Sequence, residues 1–208
     1  MSFINRLLLL VIIILAVYVL WPRNPNLAKF NPQSAAKLEA AAWVAASKAD
    51  AFGSAKSFYL LYDRQFGISP ISSVMLAQGA SRTLLLIRRG ADEADQEKAI
   101  PVLVEFYTRL KNELEADWDP ASLARKDFSI WLSVANGGGA EDVAGQIVNL
   151  WIALYGQSAG SLNAAAKERA EAMIASAAVI PDGTGDLSAT QSLLDASWAK
   201  VKTFVEGL

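Results

Sequence analysis

From residue 32 onward the apolar residues recur every three or four positions, segment after segment, and this period restricts the chain to helical folds. Ile100, Leu103, Tyr107, Leu110 and Leu114 form one such stripe; Val143, Ile147, Leu150 and Leu154 form another; Leu194, Trp198, Val201 and Val205 form a third. Leu123, Ile130, Trp131 and Val134 mark a fourth. From residue 31 onward, a residue with a short polar side chain stands before a proline three times: Asn31 before Pro32, Ser69 before Pro70, Asp119 before Pro120. That pairing is the signature of a helix start, because the side chain caps free N–H groups and proline needs none in the first turn. No stretch combines period-two alternation with β-branched enrichment, so no sheet is expected. The reading is an all-α domain, a bundle of six to eight helices over residues 32–208.

Glycines and prolines divide the pattern. Residues 33–66 read as one helix or two, with Gly53 the expected interruption and Gly67 the end. Ser69 and Pro70 open an element that runs to Arg88 and Arg89, two cations at a negative helix end, before Gly90. Asp92 opens the next, which Pro101 interrupts or kinks. Asn136 and Gly156 close two more helices, Ser161 starts another, and Pro181, Asp182 and Gly183 form a turn. Ser188 and Gln191 have capping-box spacing for the last helix.

Ahead of this domain, residues 7–21 form a run of fifteen without a charge. As a helix it spans roughly 22 Å, and Phe3 and Ile4 lengthen it if Arg6 snorkels towards the headgroups. Residues 1–21 therefore read as a single-pass transmembrane anchor, with Tyr18, Trp21 and Arg23 at the membrane interface and Pro22 ending the helix. A cleaved secretory signal is the rival reading, but Tyr18 to Arg23 offers no pair of small residues at the spacing of a cleavage site. A third reading, a buried helix, would have to hide apolar side chains on every face. Residues 22–31, rich in proline and asparagine, read as a short extended tether. The expected location is the inner (cytoplasmic) membrane, with the helical domain on the extracytoplasmic side, because short-tailed anchors usually insert that way.

Composition removes whole classes of chemistry. The chain has no cysteine and no histidine, so disulfides, thiolate catalysis, Cys/His metal sites, haem ligation by those residues and a Ser-His-Asp triad are excluded. All 21 acidic residues and all but one of the 19 basic ones lie beyond the anchor, giving a mildly acidic domain unsuited to gripping nucleic acid. No catalytic residue, metal ligand or cofactor is implied.

The remaining candidates have plain structural readings beside their functional ones. Asn136 with Gly137, Gly138 and Gly139 precedes a helix, as an anion site would, but matches no nucleotide fingerprint and reads as a connection. The run from Asp182 to Asp186 resembles a calcium loop, yet Leu193 stands where the bidentate glutamate belongs. Arg82, Arg88 and Arg89 are candidates for contact with an anion or lipid headgroup; the alternative is pairing with acidic helices. Asp117 and Asp119 flank Trp118, and Asp119 serves better as a cap than as half of an acid/base pair. Trp43, Trp131, Trp151 and Trp198 each fall on an apolar stripe, where burial worth about 2–3 kcal/mol apiece explains them without a ligand. A pigment, quinone or lipid groove is the alternative.

Several blocks carry a resemblance: Leu38, Glu39 and Trp43; Arg64 through Ser69; Pro101, Leu103, Val104, Phe106 and Tyr107. Trp151, Ala153, Leu154, Tyr155 and Gly156, then Arg169 through Met173, then Ser197 and Trp198 continue it. In these the chain resembles a family of bacterial all-helical proteins with no assigned activity, which implies the same fold; where that family carries tyrosines and basic residues, this chain has Ala45, Ala46 and Ser47. The combined reading is a non-enzymatic accessory or scaffold subunit whose partners are the lipid bilayer and a larger membrane protein complex. The alternative is a helical domain that binds a hydrophobic ligand such as lipid or quinone.

Overall fold

A computed structural model describes residues 5, 7, 8, 10–12, 18, 23–90, 93–177 and 187–207, and over these the chain is all-α. Nine α-helices are described: α1 (Pro32–Ser47), α2 (Ala51–Leu60), α3 (Pro70–Arg89), α4 (Glu93–Gln96), α5 (Ala99–Leu114), α6 (Pro120–Ala135), α7 (Ala140–Tyr155), α8 (Asn163–Ala177) and α9 (Leu187–Glu206). A π-helical turn (Leu61–Gln65) continues α2, and a 3-10 turn (Gln157–Leu162) leads into α8. The count exceeds the expected six to eight because residues 33–66 split in two and α4 stands apart from α5.

The three cap signals operate as the sequence predicts. Asn31 Oδ1 accepts the Ser34 N–H at 2.9 Å, Ser69 Oγ that of Ser72 at 3.4 Å, and Asp119 Oδ1 that of Ala121 at 3.0 Å. Gly53, expected as the break between the first two helices, is not the break. α1 ends at Ser47, Ala49 takes a left-handed conformation (φ 60°), and Asp50 caps α2 by accepting the Gly53 N–H at 2.8 Å. A Cβ at Gly53 would lie 2.2 Å from Asp50 Oδ2, so the glycine makes room for the cap. Pro101 does not kink α5 either: the helix starts at Ala99, which puts the proline in the first turn, where its missing N–H has no partner to lose. Ser188 and Gln191 fall within the first turns of α9.

The helices follow one another round a closed ring. α1 packs on α2, α2 on α3, α3 on α5, and then α5, α6, α7, α8 and α9 each on the next, until α9 returns to α1. Sequential neighbours pack because the connections are short. Closure between α9 and α1 is the step that local sequence does not supply. Weaker contacts across the middle, α1 with α3 and α8, and α6 with α3 and α8, narrow the ring to a small interior.

Residues 23–31, expected as a tether, lie against the ring. The Asn26 N–H donates to the Phe66 carbonyl at 2.9 Å, the Asn31 N–H to Gln65 Oε1 at 3.1 Å, and Lys202 Nζ to the Ala28 carbonyl at 2.6 Å. Arg23 pairs with Asp63 at 2.6 Å, and the Tyr18 hydroxyl stands 3.4 Å from both the Asp63 carboxylate and the Tyr59 hydroxyl. Of the apolar run 7–21, Leu7, Leu8, Leu10, Val11, Ile12 and Tyr18 are described; they are helical and exposed. Among the described residues no helix is long and apolar enough to cross a membrane. The rest of the run, Trp21 included, lies outside the described residues, as do Asp92, the turn at Pro181 to Gly183 and the loop at Asp182 to Asp186.

The ring makes core positions separable from decorative ones. Leu194 in α9 is 0% exposed and Phe52 in α2 is 80% exposed. Leu194→Ala is expected to cost about 2–5 kcal/mol, whereas Phe52→Ala should stay within about 0.5 kcal/mol. Denaturant unfolding of the full chain in detergent, followed by circular dichroism, measures both.

Candidate functional site

A cavity of about 210 Å³ occupies the middle of the ring, and every ring helix supplies part of its wall. Trp43 comes from α1, Phe58 from α2, Thr83 and Leu84 from α3, Tyr107 from α5, Asp127 and Trp131 from α6, Trp151 and Tyr155 from α7, Arg169 from α8 and Trp198 from α9. The four tryptophans of the apolar stripes thus converge on one space. Trp43 and Trp131 meet edge to face with centroids 5.3 Å apart, the arrangement that ring quadrupoles favour. The π-turn after α2 contributes directly. It places Tyr62 on the inner side between Phe58 of α2, stacked on it at 6.0 Å, and Phe66 just beyond the turn, while Asp63 turns to Arg23.

Charge is buried in this wall. Glu39, 5% exposed, forms an ion pair with Arg169, and its Oε2 accepts the Trp198 Nε1 hydrogen at 2.8 Å. The Arg169 guanidinium lies 5.4 Å from the ring centroids of both Trp43 and Trp198, so its faces are covered by indoles. Each charge of the pair compensates the other's loss of water, and removing one alone would strand its partner.

Asp127 has no such cation. Its Oδ2 accepts the Tyr107 hydroxyl at 3.0 Å. The carboxyl is pushed up to about 6, with burial the largest cause; the hydrogen bonds of Tyr107 and Trp131 and the positive charge of Arg169 offset this in part, and Glu39 adds to it. Burial likewise pushes the Tyr62, Tyr107 and Tyr155 phenols up, holding them neutral. Thr83 in the same wall is 2% exposed, and its Oγ1 has no hydrogen-bond partner. The cavity therefore offers aromatic faces, one carboxylate outside any ion pair and one hydroxyl without a protein partner.

None of Glu39, Asp127 and Arg169 was singled out as a site from the sequence. The signal was present in the periodicity. Asp127 lies four residues from both Leu123 and Trp131, Glu39 four before Trp43, and Arg169 four before Met173, so each is a charged residue on a buried stripe.

Of the arginines singled out from the sequence, Arg82 and Arg89 share a surface depression and Arg88 does not join them. Arg88 reaches across to the end of α8, where its Nη2 donates to the Ser176 carbonyl at 3.2 Å, and burial lowers its pKa. Arg82 and Arg89 are exposed and border a shallow surface depression with Asp95 and Lys98. Asp119 is a helix cap and Asp117 is fully exposed. Tyr18 and Arg23 meet on Asp63. The glycine run 137–139 is a connection whose tightness needs glycine: a Cβ at Gly138 would lie 2.3 Å from Ser133 Oγ. Among the described residues no group of three or more acidic side chains is placed to hold a metal ion. No family model, curated protein or solved structure matches the chain.

Two substitutions separate the buried charges. Because the Asp127 carboxyl binds its proton more tightly in the folded protein, the folded state bears a cost that is absent below about pH 4, grows up to about pH 6 and stays constant above. Asp127→Asn should then be more stable than the parent at pH 7.5 by on the order of 1–3 kcal/mol, with the gap narrowing as pH falls from 6 towards 4. Thermal melts of both proteins across that range test it. Glu39→Ala leaves Arg169 buried without its partner and should cost about 3–5 kcal/mol; adding Arg169→Met should restore part of the loss.

Proposed function

We propose that the ring of helices is a receptor for a small, largely apolar organic molecule, held at the inner membrane by residues 1–21 with the domain on the extracytoplasmic side. The observation that carries the reading is the shared cavity, to which every ring helix contributes a side chain. Binding sites of this kind are concave, mostly aromatic and apolar, and marked by a few convergent polar groups with perturbed pKa values. The volume of about 210 Å³ lies below the roughly 300–1,000 Å³ of sites for drug-sized ligands, so the occupant is small. Binding is preferred over catalysis because the chain has no cysteine or histidine, and the one cavity carboxyl raised towards neutral pH, Asp127, is engaged by a Tyr107 hydroxyl that burial holds neutral. Exposure of Leu7, Leu8, Leu10, Val11 and Ile12 supports the membrane anchor, since the ring does not cover them.

A second reading keeps the domain as an accessory subunit of a larger membrane complex. It rests on Ile71, Val74 and Met75, which are 60%, 43% and 39% exposed near the start of α3. One purification tests both. Native mass spectrometry of the full chain from mild detergent should show a small-molecule adduct, and Ala80→Phe, which fills the cavity from α3, should abolish it. An adduct-free parent whose tryptophan fluorescence is unmoved by a panel of small aromatic compounds would overturn the receptor reading, and a stoichiometric protein partner would favour the second.

A further inference from the structure

The charges in the cavity wall are unequal: two carboxylates, Glu39 and Asp127, against one guanidinium, Arg169. Arg169 is already engaged. Glu39 holds it, and the Trp43 and Trp198 rings cover its faces. An anionic ligand would have to break that pair and then lie beside Asp127. A neutral ligand would leave the Asp127 charge to the hydrogen bonds of Tyr107 and Trp131 and the positive charge of Arg169, which together do not offset its burial. A cation meets neither difficulty, because it supplies the missing opposite charge and finds indole and phenol faces, whose quadrupoles attract positive charge in a desolvated site.

Resting on the receptor reading above, we infer that the ligand is a small organic cation, a primary or substituted ammonium on an apolar body, whose charge sits against the Asp127 carboxylate among the rings of the cavity. Thr83 adds an independent indication, since its buried Oγ1 lacks a partner and a polar substituent on the ligand would supply one. The groups facing Asp127 are Tyr107 from α5, Tyr62 from the π-turn, Glu39 from α1 and Arg169 from α8. Tyr62 and Tyr107 stay neutral between pH 5 and 8 because burial raises both phenols. Glu39 and Arg169 neutralise one another as an ion pair. Asp127, with its carboxyl raised to about 6, changes charge within this window, ionised at pH 7.5 and largely protonated at pH 5.

The test uses the full chain in detergent and two probes of equal shape, benzyltrimethylammonium and its neutral carbon isostere neopentylbenzene, with binding read by tryptophan quenching and calorimetry. At pH 7.5 the ammonium should bind at least about tenfold more tightly than the isostere. Lowering the pH to 5 should remove most of that preference and leave the isostere's affinity unchanged. Asp127→Asn should abolish the preference at both pH values while still binding the isostere, which shows that the variant is folded. Equal affinity for the two probes, or tighter binding of phenylacetate than of the ammonium, would overturn the cation inference and leave the receptor reading in place. Binding of no probe by the parent protein would overturn both.

Discussion

The ring stays closed because of what happens at Glu39. Its carboxylate joins α1 to α8 through Arg169 and to α9 through Trp198, across sequence separations of 130 and 159 residues. Helices that neighbour one another in sequence find each other cheaply, but bringing the two ends of the chain together costs loop-closure entropy that a directional, buried interaction helps to offset. The indoles that cover the guanidinium belong to these same helices, so one cluster of side chains both seals the ring and forms part of the cavity wall. Everything proposed for the interior depends on that seal.

The interior itself runs against stability. The space of about 210 Å³ holds a carboxylate with no cation of its own and a hydroxyl with no protein partner, and burying either costs stability. These two costs coincide in one place. A helical ring selected for stability alone would close with larger apolar side chains and an apolar residue at position 127. Unfavourable features that share one cavity are what a binding site leaves behind.

The wide turn at Leu61–Gln65 connects this interior to the chain's apolar N-terminal region. Tyr62 and Phe66 face the cavity, whereas Asp63 faces Arg23 and Tyr18. Opposite sides of one helical turn thus touch the candidate ligand space and the segment leading from the proposed anchor. Burial of Asp63 and the backbone hydrogen bond from Asn26 to Phe66 hold residues 23–31 against the ring.

Local sequence determined the helical class, the proline-capped starts at Asn31, Ser69 and Asp119, and the stripes that face inward, because caps and a 3.6-residue period act over a single turn. It left Gly53 and Pro101 open to misreading, since Asp50 and the start at Ala99 decide their roles. The meeting of Trp43, Trp131, Trp151 and Trp198 round one space, and of Glu39 with Arg169, was decided by the tertiary structure alone. Each stripe records that a residue is buried and does not record against what. Whether a charged residue on a stripe is paired, as Glu39 is, or left to face a cavity, as Asp127 is, depends on which helices close the ring, and that depends on contacts among residues more than a hundred positions apart.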